Sequence, residues 1–163
     1  GVLLSRCGPG EVGIVSTETF ADGRFWDVIS VPGGGTRARD GRSVITMRDA
    51  GMIFERAASE MASLARRAVE EQGLGTGDVD FFVFHQASAA IVRTVCERLQ
   101  VPAEKTIINF DRVGNTTAAS VPIALSEAVS GGRIAPGDLV CLVATGGGFT
   151  AGVALLRWEA TEP

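Results

Sequence analysis

The chain has 163 residues, 45% of them hydrophobic and 21% charged, which is enough apolar material for one buried core in a domain of ordinary size. A net charge of -4, with Lys and Arg scattered along the chain, excludes the basic stripe of a nucleic-acid binder, and no apolar run reaches the ~20 residues that span a bilayer. With a single histidine, and with Cys7, Cys96 and Cys141 far apart, no zinc constellation can be assembled; no metal or other cofactor is expected, and the class is a globular, cytoplasmic protein with reduced cysteines.

Val2, Leu3 and Leu4, and then Val12, Ile14 and Val15, predict two short strands separated by a Gly8-Pro9-Gly10 turn. The chain opens without Met and without the charged-then-apolar layout of a signal peptide, which reads as a fragment of a longer protein. From Asp22 to Arg48 the sequence is charged and Gly-rich, including Pro32-Gly33-Gly34-Gly35, the pattern of a long, mobile surface excursion with little core of its own.

Good helix formers from Ala50 to Gln72 place Ile53, Ala57, Met61, Leu64, Ala68 and Glu71 on one largely apolar face, so a long helix is predicted, stopped by Gly73. Asp80-Phe81-Phe82-Val83-Phe84 is the continuous apolar run of a strand buried on both faces, with His85 at its C-terminal end. Ser88 is placed to cap a helix that runs to about Leu99 and ends at Val101-Pro102; Thr106 to Ile108 is the next strand and Asn109 to Asn115 a loop. Thr117 to Ser130 predicts a further helix, stopped by Gly131-Gly132. Leu139 to Ala144 is another strand, joined through Gly146-Gly147-Gly148 to a last one from Phe149 to Trp158. This alternation gives an α/β fold with a mixed sheet flanked by helices.

Ligands of open α/β sheets bind beyond the carboxyl ends of the strands, and both His85 and the loop ending in Asn115 fall at such ends, one strand-helix unit apart. Two polar side chains are therefore expected to face one crevice. Taken singly, each also suits a structural part: His85 a hydrogen-bonded buried histidine, Asn115 a helix cap, and the glycine run a hairpin connection.

Three strings together go further. Phe84-His85-Gln86-Ala87-Ser88, Gly114-Asn115-Thr116-Thr117-Ala118-Ala119-Ser120-Val121-Pro122-Ile123-Ala124-Leu125 and Gly146-Gly147-Gly148-Phe149-Thr150 resemble, in order and spacing, the C-terminal motifs of the beta-ketoacyl-acyl-carrier-protein synthase III family, usually HQAN, GNTSAASIPIAL and GGGFTWG. The resemblance fades from Trp158 back towards Val2, and Thr17 to Gly23 still looks like the family's STxxxADG segment.

The resemblance implies the C-terminal half of a thiolase-like fold, with residues 1–48 as the end of the N-terminal half and a connecting loop, and 49–163 as the C-terminal unit. It also implies an acyltransferase that condenses an acyl thioester with a malonyl thioester carried on coenzyme A or on acyl carrier protein, in fatty-acid or polyketide synthesis, and that dimerises. The family's catalytic His and Asn carry over onto His85 and Asn115, the oxyanion-binding glycine onto Gly147 and a pantetheine contact onto Ser88. The cysteine nucleophile is expected in the N-terminal half, because Cys7, Cys96 and Cys141 lie in no motif like the family's nucleophile elbow. The residue types suit the chemistry: decarboxylation puts charge on a thioester oxygen, which an imidazole N–H and a carboxamide N–H can hold.

Several positions depart from the family pattern. Ser88 replaces the Asn of HQAN, Ala90 stands where an arginine often engages phosphopantetheine, with Arg93 one helical turn on, and Glu55 stands where a basic residue is usual. Thr145 replaces a bulky aromatic and Ala151 the family's Trp, which points to a roomier acyl pocket. Two other readings fit the same residues: transfer of the acyl group to an oxygen or nitrogen acceptor, with His85 as general base, and a non-catalytic partner subunit.

Overall fold

The computed structural model describes Arg6, residues 13–36, 38–41 and 43–159. The first predicted strand, the Gly8-Pro9-Gly10 turn and Cys7 lie outside the described residues.

The longest element is helix α1 (Ala50–Glu70), which starts where Asp49 accepts the backbone N–H of Met52 at 2.9 Å. Its buried face runs through Ile53, Ala57, Met61, Leu64, Ala65 and Ala68, the apolar face read from the sequence except for Glu71, which is exposed at the C-cap. The many alanines let the helix axis approach the sheet closely while Met61 and Leu64 fill the space between. Beyond Glu70 the chain turns out through Gly73, at φ +72, as the sequence predicted, about two residues earlier than expected.

Strand β1 (Ile14–Ala21) leads to a short 3-10 turn at Gly23–Phe25 and then to a small ladder of β2 (Ile29–Ser30) with β3 (Thr46–Met47). After α1 come β4 (Phe81–Phe84), helix α2 (Ala89–Leu99), a four-residue helix α3 (Phe110–Val113), helix α4 (Ser120–Ser130), β5 (Leu139–Gly146) and β6 (Thr150–Arg157). Among the described residues the main sheet has the order β1-β6-β5-β4, with β4 parallel to β5 and the other pairs antiparallel. This is the mixed sheet expected, and β1 pairs along its length with β6 at one edge.

Alternation along β4 sorts the core into two layers. Phe82 and Phe84, whose rings stack at 5.7 Å, join Leu139, Cys141 and Val143 beneath α1 and α2. Phe81 and Val83 point the other way, with Val140, onto Ala124, Leu125 and Ala128 of α4. A strand so enclosed has no polar face to show, which is why its sequence reads as an unbroken apolar run.

Three predicted elements differ. Thr106 to Ile108 runs parallel to β4 but makes only the bridge of Thr106 to Phe82, because the Gln86 side chain takes the Ile107 carbonyl and the Asn109 N–H that a ladder would use. The loop from Asn109 to Asn115 holds the turn of α3, closed by Val113 N–H on Asn109 O at 3.1 Å. The helix expected from Thr117 is a 3-10 turn to Ala119 before α4 begins, since Thr117 is held at φ +53, outside helical space. None of the helices among the described residues is long and apolar enough to cross a membrane.

Candidate functional site

Parallel pairing puts the carboxyl ends of β4 and β5 side by side. His85 follows β4 directly, and its backbone N–H donates to Val143 O of β5 at 2.8 Å, three residues before the glycine run begins. The imidazole is half-buried, and burial lowers its pKa below the ordinary 6.5, so the neutral ring is favoured. Its ring nitrogens have no hydrogen-bond partner among the described residues, which leaves one N–H to donate.

Asn115 follows α3, in the segment that leads from α2 to α4. Its Oδ1 accepts the N–H of Thr117 at 2.9 Å, and the side chain is exposed. A backbone N–H can only meet the oxygen, so this bond fixes the orientation of the amide and turns its NH2 away from the backbone. The NH2 makes no hydrogen bond to the described residues. The bond spans two residues and is an Asx turn, not the helix cap read from the sequence, since Thr116 and Ala119 are the residues that precede the 3-10 turn and α4, and it leaves the donor end of the same group unengaged.

What joins these two positions was not read from the sequence as functional. Gln86 is fully buried, and its amide stitches the strand end to the segment that leads to Asn115: Nε2 donates to Phe84 O at 2.9 Å and Ile107 O at 3.1 Å, while Oε1 accepts Asn109 N–H at 3.1 Å. Its own N–H donates to Ser120 Oγ, at the start of α4, over 2.6 Å. Asn109, also buried, holds Glu127 of α4 at 3.1 Å, and Arg112 closes the same carboxylate at 2.6 Å. The available signal was an uncharged polar residue inside an apolar motif, which periodicity alone does not weigh.

Gly147 lies in the connection between β5 and β6, where Gly146 pairs with Thr150. Gly148 has φ +130, a value side-chain-bearing residues rarely adopt, and Thr150 Oγ1 donates to Gly147 O at 3.3 Å. The turn leans on the long excursion, for a Cβ added to Gly147 would stand 3.5 Å from Ile29 O. Phe149 is buried, and its N–H and carbonyl exchange bonds of 3.0 and 2.8 Å with the carbonyl and N–H of Asp22. The expected surface excursion therefore backs the glycine turn at both Asp22 and Ile29, and Asp22 itself is buried, bound by Arg24 and Arg56.

Ser88 caps α2 by accepting Ile91 N–H at 3.1 Å. Thr145 is half-buried opposite the small Ala151, and Glu55 is tied to Arg98 at 2.8 Å. Arg93 is exposed on α2, along a groove of about 640 Å³ that also takes in Cys96 and Arg133. Burial pushes the Cys96 thiol up to about 11 and the Cys141 thiol to about 12, so both stay protonated and poorly nucleophilic at neutral pH.

The family model for "3-Oxoacyl-[acyl-carrier-protein (ACP)] synthase III C terminal" matches residues 69–158. The beta-ketoacyl-[acyl-carrier-protein] synthase III of Cereibacter sphaeroides is 40% identical over 146 residues, covering 90% of this chain and 44% of that protein. That of Sodalis glossinidius is 42% identical over 148 residues, covering 91% and 46%. The crystal structure of the Thermus thermophilus enzyme superposes with a TM-score of 0.83 at 37% identity, covering 93% of this chain and 48% of that one. The chain thus spans about half the length of the curated relatives it matches. On the motif positions, the sheet order and this match over more than half of its residues, the chain belongs to the 3-oxoacyl-[acyl-carrier-protein] synthase III family, of which it carries the C-terminal region.

Proposed function

We propose that this chain forms part of an enzyme for decarboxylative Claisen condensation, in which His85 and Asn115 donate to the thioester oxygen of a malonyl group. The observation that carries the reading is the Asn115 carboxamide, anchored through Oδ1 to Thr117 N–H with its NH2 unengaged, together with a half-buried imidazole at the end of β4 that is favoured in its neutral, N–H-donating form. As the bond to the malonyl carboxylate breaks and carbon dioxide leaves, its electron pair passes into the thioester and charge gathers on that oxygen. Two preorganised donors stabilise the charge as it develops.

The enolate carbon then attacks the acyl group held as a thioester on the nucleophilic cysteine, which the proposal places in the N-terminal half of the complete enzyme. Gly147 N–H is the donor to the resulting tetrahedral oxyanion, whose collapse forms the ketone and expels the cysteine sulfur. Ser88 serves the pantetheine arm of the substrate. Helix α4 supports a partner half packed alongside it: Val121, Ile123 and Val129 remain only half-buried although the helix is apolar on several faces. The proposal takes the acyl donor as an acyl-coenzyme A, the malonyl group as carried on coenzyme A or acyl carrier protein, and the enzyme as a cytoplasmic homodimer with residues 49–163 as its C-terminal unit.

The test is release of carbon dioxide from malonyl thioester by an enzyme carrying both halves. Release coupled to formation of a beta-ketoacyl product is expected. Acyl transfer to an oxygen or nitrogen acceptor without carbon dioxide release would overturn the reading.

A further inference from the structure

We infer that the buried Asp22–Arg56 pair is a positioning device for the Gly147 turn, holding it from behind through Phe149. The inference rests on the reading of Gly147 as an oxyanion donor. Asp22 is 7% exposed, and its carboxylate takes Arg56 Nη2 at 2.7 Å. The same residue makes the two-way main-chain pair with Phe149, the last residue of the turn. One residue therefore joins the glycine turn to helix α1.

Arg56 touches both partners in that junction. Its guanidinium lies 5.3 Å from the Phe149 ring centroid and 4.2 Å from that of Phe25, and Glu60, one helical turn on, holds Nη2 at 3.5 Å. Arg56 Nε is buried without a hydrogen-bond partner, so the two rings and the two carboxylates together set its position. A flat guanidinium can stack on a ring and bind a carboxylate at once, which an ammonium cannot do. Arg24 binds the same carboxylate from the solvent side, with 83% of its side chain exposed, and stacks only towards Phe25. The two arginines thus differ: Arg56 contacts the turn residue and Arg24 does not.

The turn needs such a hold because Gly146, Gly147 and Gly148 have no side chains to pack, and a glycine chain left to itself samples many conformations. Ile29 O lies near Gly147 on one side, and Asp22 is hydrogen-bonded to Phe149 on the other. A misplacement of about 1 Å in a catalytic donor is enough to cost up to about a hundredfold in rate.

The experiment uses an enzyme with both halves and compares Arg56→Gln, Arg56→Lys and Arg24→Gln with the wild type. It follows single-turnover formation of the acyl-enzyme by mass spectrometry, KM for the acyl donor, malonyl decarboxylation and the thermal midpoint. Arg56→Gln should slow acyl loading about tenfold or more with KM within about twofold, since only transition-state stabilisation is lost. Decarboxylation, which uses His85 and Asn115, should fall by less than about threefold. Arg56→Lys should lie between Arg56→Gln and wild type, and Arg24→Gln, which spares the contact with Phe149, should slow loading less than Arg56→Gln does. Equal loss of both half-reactions, or wild-type loading by Arg56→Gln, overturns the inference. Should Arg56→Gln fail to fold, wild-type loading by Arg56→Lys overturns it instead. A wild-type enzyme that takes up no acyl group overturns the proposed function as well, whereas normal wild-type loading with unaffected Arg56 variants leaves that function standing.

Discussion

The backbone N–H of Gln86 donates to Ser120 Oγ over 2.6 Å, so the residue that follows His85 and the first residue of the helix that follows Asn115 are held by one buried bond. Both groups are inaccessible to water, Ser120 at 1% exposure and Gln86 at 0%. Removing the hydroxyl therefore leaves a buried N–H without a partner.

Ser120→Ala should destabilise the fold by about 1–3 kcal/mol, the usual cost of an orphaned buried donor. Gln86→Ala should cost more, because Asn109 N–H and the carbonyls of Phe84 and Ile107 lose their partner together. Denaturant unfolding checks both. A Gln86→Ala protein as stable as wild type would show that the stitch contributes nothing to the fold.

In the complete enzyme, His85→Ala or Asn115→Ala should slow malonyl decarboxylation by about a hundredfold or more, the scale of losing one oxyanion donor. Acyl loading should suffer less. Asn115→Asp is the sharper variant, since a carboxylate can still accept Thr117 N–H but offers no donor to substrate. It should decarboxylate no faster than Asn115→Ala, and wild-type rates in it would remove the amide from the mechanism.

Burial lowers the His85 pKa below 6.5, so the folded protein binds this proton less tightly than the unfolded chain does. The neutral ring's contribution to stability is then full above about pH 6.5 and is lost as pH falls through the folded value. As His85 is the chain's single histidine, its ring protons titrate without overlap in an NMR spectrum. Their midpoint should lie below 6.5, and the acid limb of decarboxylation should follow it; a midpoint at or above 6.5 contradicts the burial argument.

The hydrogen bonds from Arg24 are the largest influence holding the Asp22 carboxyl at about 2, below its ordinary 3.8, and they outweigh the opposing effect of burial; the nearby charge of Arg56 acts in the same direction. A carboxyl depressed in this way stabilises the fold fully above its unfolded value, and the effect vanishes as pH falls through the folded one. Thermal midpoints of wild type and Asp22→Asn should therefore differ most above about pH 4 and converge towards pH 2. Curves that stay parallel across that window would show that the charge on Asp22 does not support the fold.

Much of this architecture could be read locally. Helix α1 follows from a 3.6-residue apolar period ended by Gly73, and β4 from four consecutive buried residues, because such patterns depend on neighbours a few positions away. Thr106 to Ile108 misled for the same reason. Its β-branched residues favour extended chain, but a distant carboxamide occupies the groups a ladder would need. The excursion from Asp22 misled through composition, as glycine and charge describe solvated loop, whereas Asp22 meets its partners 34 residues on and at Phe149.

The order of residues alone determined the three long helices and most strands, and it placed His85 and Gly147 at strand ends, because periodicity, capping and glycine act over a single turn or pleat. Only the tertiary structure decided that Gln86 would link the His85 strand to the approach to Asn115, that Asn115 would keep its amide hydrogens unengaged, and that Asp22 and Arg56 would back the glycine turn. Those outcomes depend on groups far apart in the chain competing for the same buried donors and acceptors, a competition that folding resolves and that no local window contains.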